Sequence, residues 1–262
     1  MNIVVCIKQV PGTNKVEVDQ NTGALKRDGV DSKMNPYDLY AIEFALKMKE
    51  KTGGTVTVCT MGPPQATEII KEAYAMGVDN GYLFSDRRFA GSDVLATSYT
   101  LSQGIKMIGE FDIIICGKQT TDGDTAQVGP AISEFLDIPH AAWVDKLIDF
   151  DEQYITVQQD LNTFTQTVKV KYPCLITVEK GVFEPRLPSY KKKIQTKDRP
   201  VATLTLNEFG DRDESHYGLM GSGTSVERIF PPETKGDSVF IRGSFMEQCD
   251  GFMDVLKKGK YV

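Results

Sequence analysis

Hydrophobic and polar positions follow two rhythms along the first half of the chain. Short β-branched or aromatic runs at Asn2–Ile7, Thr55–Thr60, Gly81–Ser85 and Asp112–Cys116 predict strands. Between them, apolar residues recur with helical spacing at Asp38–Lys51, Gln65–Met76 and Asp93–Ile108, and again through Ala131, Ile132, Phe135 and Leu136. Strands alternating with helices predict an α/β fold with a parallel sheet covered on its faces. Helix starts are marked: Asn35 precedes Pro36, and Gly91, Ser92 and Asp93 precede the third helical run. Past Pro139 the rhythm changes. Ala141–Ile148, Tyr154–Leu161 and Thr165–Val178 show strand-like alternation and predict antiparallel strands added to the sheet. From Gly181 the proline-bearing stretch GVFEPRLPSYKKKIQTKDRP reads as an exposed loop and linker, and Val201–Val262 offers one clear helical pattern, Phe245–Lys258.

Composition limits the function classes. The chain has 262 residues, 40% hydrophobic and 25% charged, which fits one large domain or one domain plus an extension. A formal net charge of −6 gives no general attraction to nucleic acid or anionic membrane surfaces, and no apolar run approaches the ~20 residues needed to span a bilayer. A cytoplasmic setting with no nucleic-acid or membrane partner is therefore expected. The five cysteines, Cys6, Cys59, Cys116, Cys174 and Cys249, contain no CxxC pair, and the first three end apolar strand-like runs where a small hydrophobe packs well. Two histidines, His140 and His216, have no nucleophile or metal-type partner nearby in sequence, so no metal site is expected.

The most informative chemistry lies in Ile113–Pro139, a strand, a polar turn around Asp122, Gly123 and Asp124, and a helix. In a parallel sheet this unit brings unpaired helix N–H groups to a strand's carboxyl end, where they can hold a phosphate. The loop has neither a P-loop lysine nor GxGxxG. Its Thr120, Thr121, Thr125 and Gln127 offer neutral donors, and Gly123 and Gly129 permit close main-chain approach. Asp122 and Asp124 repel phosphate; one of them reads best as the helix N-cap. Asn35 and Asp38 likewise read as capping residues, and Thr97 and Ser98 as a polar helix face. The three helix starts predict N-termini converging on one cleft.

CIKQVPG at Cys6–Gly12, MNPYDLYAIEFAL at Met34–Leu46, GKQTTDGDTAQVGP at Gly117–Pro130, YPCLITVEK at Tyr172–Lys180, EPRLPSY at Glu184–Tyr190 and RIFPPE at Arg228–Glu233 together resemble the β subunit of electron transfer flavoproteins. The resemblance runs in order over nearly the whole chain. It implies a Rossmann-like, adenine nucleotide α-hydrolase-like domain over residues 1–200, and a C-terminal arm over 201–262 that packs on an α subunit carrying FAD. The implied β-site ligand is FAD or, alternatively, AMP. Implied nucleotide contacts are Cys6, Asn35, Asp38, Cys59, Thr60 and the loop including Gly117, Thr120, Gly123, Asp124, Thr125, Gln127, Val128 and Gly129.

The stretch Gly77–Ser98 is similar to flavin-bifurcating members of that family, which adds Ser92, Asp93 and Thr97 to the expected FAD site. Such members take electrons from NADH, passing one to ferredoxin or flavodoxin and the other through the α-subunit flavin to a flavin-dependent dehydrogenase. The redox chemistry is the flavin's, and no catalytic side chain is expected. Segment Val182–Lys193 matches a partner-recognition loop, about 181–195, with Phe183, Glu184, Pro185, Arg186 and Leu187 as its contacts; Phe183 or Leu187 is the expected anchor. A related ATP-using enzyme would need a serine- and glycine-rich loop where this chain has Lys8–Gly12. A nucleotide-sensing module is the remaining alternative.

Overall fold

The chain opens with β1 (Asn2–Cys6), whose last four residues are buried. A short antiparallel pair, β2 (Gln9–Pro11) and β3 (Ser32–Met34), leads to α1 (Pro36–Thr52), β4 (Thr55–Met61), α2 (Thr67–Met76), β5 (Asn80–Phe84), α3 (Val94–Ile108), β6 (Ile113–Gly117) and α4 (Val128–Leu136). The second half supplies β7 (His140–Phe150), β8 (Tyr154–Asp160), β9 (Thr165–Lys171), β10 (Cys174–Val178), α5 (Tyr190–Gln195), β11 (Ala202–Leu204) and α6 (Phe245–Lys258). This computed structural model describes residues 1–12, 32–227 and 238–262; the RIFPPE motif at Arg228–Glu233 lies outside them.

Nine strands form one sheet in the order β11, β5, β4, β1, β6, β10, β7, β8, β9. Every pairing from β11 to β7 is parallel, and β8 and β9 extend the sheet antiparallel. Strands β1, β6 and β10 read as unbroken apolar runs because helices cover both faces. Ile3, Val5 and Ile115 pack with Ile42, Phe44 and Ile70 of α1 and α2; Val4, Ile114 and Leu175 pack with Leu101, Ile105 and Ile132 of α3 and α4. The predicted α/β class and the added antiparallel strands are both present. Helix α1 starts with Pro36 at a position that needs no N–H, and stops at Gly53, whose left-handed φ of 68° returns its N–H to Lys49 O.

Three sequence expectations change. The run Thr165–Val178 is two strands, split at Pro173, which has no N–H for a ladder. Only β9 is antiparallel; β10 inserts between β6 and β7 and runs parallel to both. The exposed stretch after Gly181 includes the short helix α5, capped by Ser189, which lies against α2. The α/β body also continues past residue 200. Strand β11 joins β5 at the sheet edge, and Leu206, Phe209 and Tyr217 are buried in the α3/α4 core.

Strand order decides where a ligand can enter. From β1 the chain steps outward through β4 and β5, then crosses back to place β6 on the other side of β1. Between the carboxyl ends of β1 and β6 lies the crevice where open α/β sheets bind ligands.

Candidate functional site

The loop after β6 is tied to the start of α1 through Asn35. Its fully buried side chain donates from Nδ2 to Gln119 O at 2.9 Å and accepts at Oδ1 from Thr121 N at 3.3 Å. Asn35 also donates to Asp38 Oδ1 at 2.8 Å, while Asp38 Oδ2 accepts the Lys8 N–H at 2.7 Å. Neither residue caps α1 with its side chain, contrary to the capping expectation: Asn35 makes no cap bond to the helix. They join three segments instead, the exit of β1, the start of α1 and the loop. Burial pushes the Asp38 carboxyl up to about 8, against the Asn35 and Lys8 hydrogen bonds that favour its charged form.

The loop's acidic residues do not cap α4 either. Asp122 accepts Lys8 Nζ at 2.6 and 2.7 Å, and Asp124, in the left-handed region at φ 55°, accepts from Gln119 Nε2. Helix α4 follows Gln127, which makes no side-chain cap bond. The first N–H groups of α4 therefore open on the crevice without a side-chain acceptor, and the carboxylate nearest β1 is neutralised by Lys8. At the carboxyl end of β4, the Thr60 hydroxyl is buried with no hydrogen-bond partner among the described residues. A buried orphan hydroxyl and an uncapped helix start fit a phosphorylated ligand bearing hydroxyl groups.

Two of the glycines expected to contact the nucleotide, Gly129 and Gly117, also serve packing. A side-chain carbon on Gly129 would sit 2.5 Å from Thr177 Cγ2, so its absence lets α4 lie against β10. At Gly117 the obstacle is Asp38 Oδ1, also 2.5 Å away. Gly123 is different: only Thr120 Oγ1, at 3.6 Å, is near. Of the three, only Gly123 has room for a side chain.

Helix α3 begins beside α4, the Ser98 hydroxyl reaching Val128 O at 3.4 Å. Its N-cap is Asp93, whose Oδ1 accepts Ala96 N and whose Oδ2 accepts the N–H and hydroxyl of Thr224. Ser92 turns its hydroxyl to Phe89 O, and Thr97 lies half-buried on the first turn. The expected free N-terminus at α3 is thus already occupied by a carboxylate. On the other flank of the loop, Lys118 pairs with Glu179 and lies 4.5 Å from the centre of the Trp143 ring. Trp143 holds φ 58°, rare for a bulky residue, and donates its N–H to Thr177 Oγ1 at 2.9 Å.

Residues 22–208 match the family description "Electron transfer flavoprotein domain". The chain belongs to the electron transfer flavoprotein family. It is 41% identical over 262 residues to the electron transfer flavoprotein subunit beta of Clostridium acetobutylicum, covering both chains fully. It is 39% identical to the caffeyl-CoA reductase-Etf complex subunit CarD of Acetobacterium woodii, again over both whole chains. Protein FixA of Sinorhizobium fredii is 44% identical over 88% of this chain and 84% of its own. A beta-subunit role in electron transfer follows from this membership, and with it an α-subunit partner and a site of the flavin or AMP type.

Within this electron transfer flavoprotein subunit, the recognition segment divides into held and free residues. Phe183 packs edge-on against Phe44 with ring centres 5.4 Å apart, and Arg186 donates to Glu43 at 2.7 Å and Glu50 at 2.8 Å. Pro185 is half-buried, Glu184 is exposed, and Leu187 stands 87% exposed. Sequence reasoning missed Lys8, Lys118 and Trp143. Lys8 carried a signal, a lone cation immediately beyond a strand aimed at the crevice; the Trp143 backbone geometry carried none. No helix among the described residues is long and apolar enough to cross a membrane.

Proposed function

We propose that this beta subunit binds FAD in the crevice between β1 and β6, receives electrons there from NADH, and serves flavin bifurcation in the cytoplasm. One electron goes to ferredoxin or flavodoxin and the other, through the α-subunit FAD, to a flavin-dependent dehydrogenase. The observation that carries the nucleotide site is the loop Gly117–Gly129, moored by Asn35 and ending in an α4 start with no side-chain cap. Main-chain N–H groups of Thr125, Gln127, Val128 and Gly129 would hold the diphosphate, Lys8 would offset the loop's acidity, and Cys6, Cys59 and Thr60 would line the adenosine end. Bound flavin supplies the one- and two-electron redox chemistry; the chain supplies position and charge. Similarity to CarD, whose name places it in a reductase complex, supports a CoA-thioester reductase as the dehydrogenase class. Leu187 is the proposed anchor for that partner, being the exposed apolar residue of a segment fixed by Arg186 and Phe183.

An AMP-binding carrier subunit is the second reading, and one observation favours it. Asp93 already fills the start of α3 with negative charge, an unfavourable neighbour for a reduced, anionic ring. One experiment separates the readings: extract the α/β heterodimer, quantify FAD and AMP, and titrate it with NADH. Two FAD per pair with flavin bleaching by NADH supports bifurcation. One FAD and one AMP, with no response to NADH, makes this subunit a simple carrier.

A further inference from the structure

Three thiols stand side by side across the middle of the sheet. Cys6 ends β1, and it is the register partner of Cys59 on β4 and of Cys116 on β6. All three point to the α3/α4 face and are buried, with only Cys6 and Cys116 retaining slight exposure. Cys6 and Cys59 approach to 3.8 Å between sulfurs. Packing accounts for a small apolar residue at each place but not for three sulfurs in one row at the strands' carboxyl ends.

The same arrangement sets their reactivity. The two sulfur neighbours of Cys6, Cys116 foremost and Cys59 at 3.8 Å, hold its thiol well below the usual thiol range, while the same interactions and burial push Cys59 and Cys116 up. Cys174 is an internal control. It is fully buried, makes no sulfur hydrogen bond among the described residues, and burial alone pushes its thiol up to about 12.

We propose that Cys6 and Cys59 are a reversible thiol–disulfide pair in the floor of the nucleotide cleft, oxidised by small hydroperoxides. The Cys6 thiolate attacks one oxygen of the hydroperoxide; an S–O bond forms, the O–O bond breaks, and the departing alkoxide takes a proton and leaves as the alcohol, or as water when the oxidant is hydrogen peroxide. The Cys59 sulfur then displaces the oxygen from the Cys6 sulfenic acid. An S–S bond forms, and the oxygen leaves as water with the Cys59 thiol proton. Two electrons leave the two thiols and two enter the peroxide. Neighbouring strands lie about 4.8 Å apart, inside the Cα range that a disulfide spans, so the sulfurs close to bonding distance by side-chain rotation and a small backbone adjustment. Backbone geometry gives the pair its chemistry; that it lies beneath a nucleotide rests on the proposed function.

The test uses the α/β heterodimer, as purified and after removal of its nucleotide, treated with hydrogen peroxide, alkylated under denaturing conditions and mapped by mass spectrometry without reduction. A Cys6–Cys59 crosslink that dithiothreitol reverses, with Cys174 still a free thiol, is the expected result; Cys6→Ala and Cys59→Ala should each abolish it. Free Cys6 and Cys59 in heterodimer whose exposed Cys249 has been oxidised would overturn the proposal, as would Cys6 sulfinic acid without a crosslink. Slower crosslinking in the loaded heterodimer places the pair under the ligand. Equal rates with and without nucleotide would instead overturn the site reading and leave the thiol chemistry standing.

Discussion

Asn35 and Asp38 join three segments of the candidate site, and each has a distinct prediction. Asn35→Ala removes bonds to Gln119, Thr121 and Asp38 at once, leaving buried polar groups unsatisfied. Nucleotide affinity should fall by about tenfold, equivalent to ~1.4 kcal/mol, measured by isothermal titration of stripped heterodimer. Asp38 binds a proton more tightly folded than unfolded, so the stability it contributes is full below its unfolded value near 4 and is lost as pH rises toward about 8. The loss is at most about 1.4 kcal/mol per pH unit. Asp38→Asn should flatten the fall in melting temperature between pH 5 and 8; an unchanged pH slope would show that Asp38 titrates normally. Both residues were visible in the sequence as a helix start, but capping is a local pattern. Asp38 finds its partner Lys8 30 residues back and Asn35 its partner Gln119 84 residues forward, distances no spacing rule covers.

Among elements, the β6–loop–α4 unit was the most legible, because a buried strand, a polar turn and an amphipathic helix each carry their own periodicity. Strand β10 was less so. Its residues CLITV are buried throughout, the mark of a parallel central strand, but they follow the alternating β9 so closely that the two read as one. Glycines in the unit now separate two effects. Gly129→Ala forces α4 away from Thr177 and should cost about 1–3 kcal/mol of stability in urea unfolding. Gly123→Val meets no such obstacle and should leave the unfolding midpoint within error while weakening nucleotide binding. Loss of stability in both variants would mean that Gly123 also packs.

At the scale of the molecule, the chain keeps one helix apart from its cores. On α6, Phe245, Cys249, Phe252, Met253 and Leu256 recur at helical spacing, and Phe245, Phe252 and Met253 are exposed. We assign this stripe to the α subunit, as the outer part of the C-terminal arm. Phe252→Asp should therefore weaken heterodimer formation by at least tenfold in analytical ultracentrifugation without lowering the unfolding midpoint of the isolated chain. The pattern of α6 was plain in sequence; the inner part of the arm was not, since β11 is three residues long and Leu206, Phe209 and Tyr217 are too scattered to show a period. Among 262 residues there is one tryptophan, and it stands at the flank of the loop proposed to hold the nucleotide, with Lys118 over its ring. Excited beyond the absorption of its ten tyrosines, the isolated chain emits from one indole at one known place. An isoalloxazine absorbs where indole emits and an adenine does not, so FAD would darken Trp143 by energy transfer and AMP would not. The chain carries its own optical gauge of which nucleotide it holds.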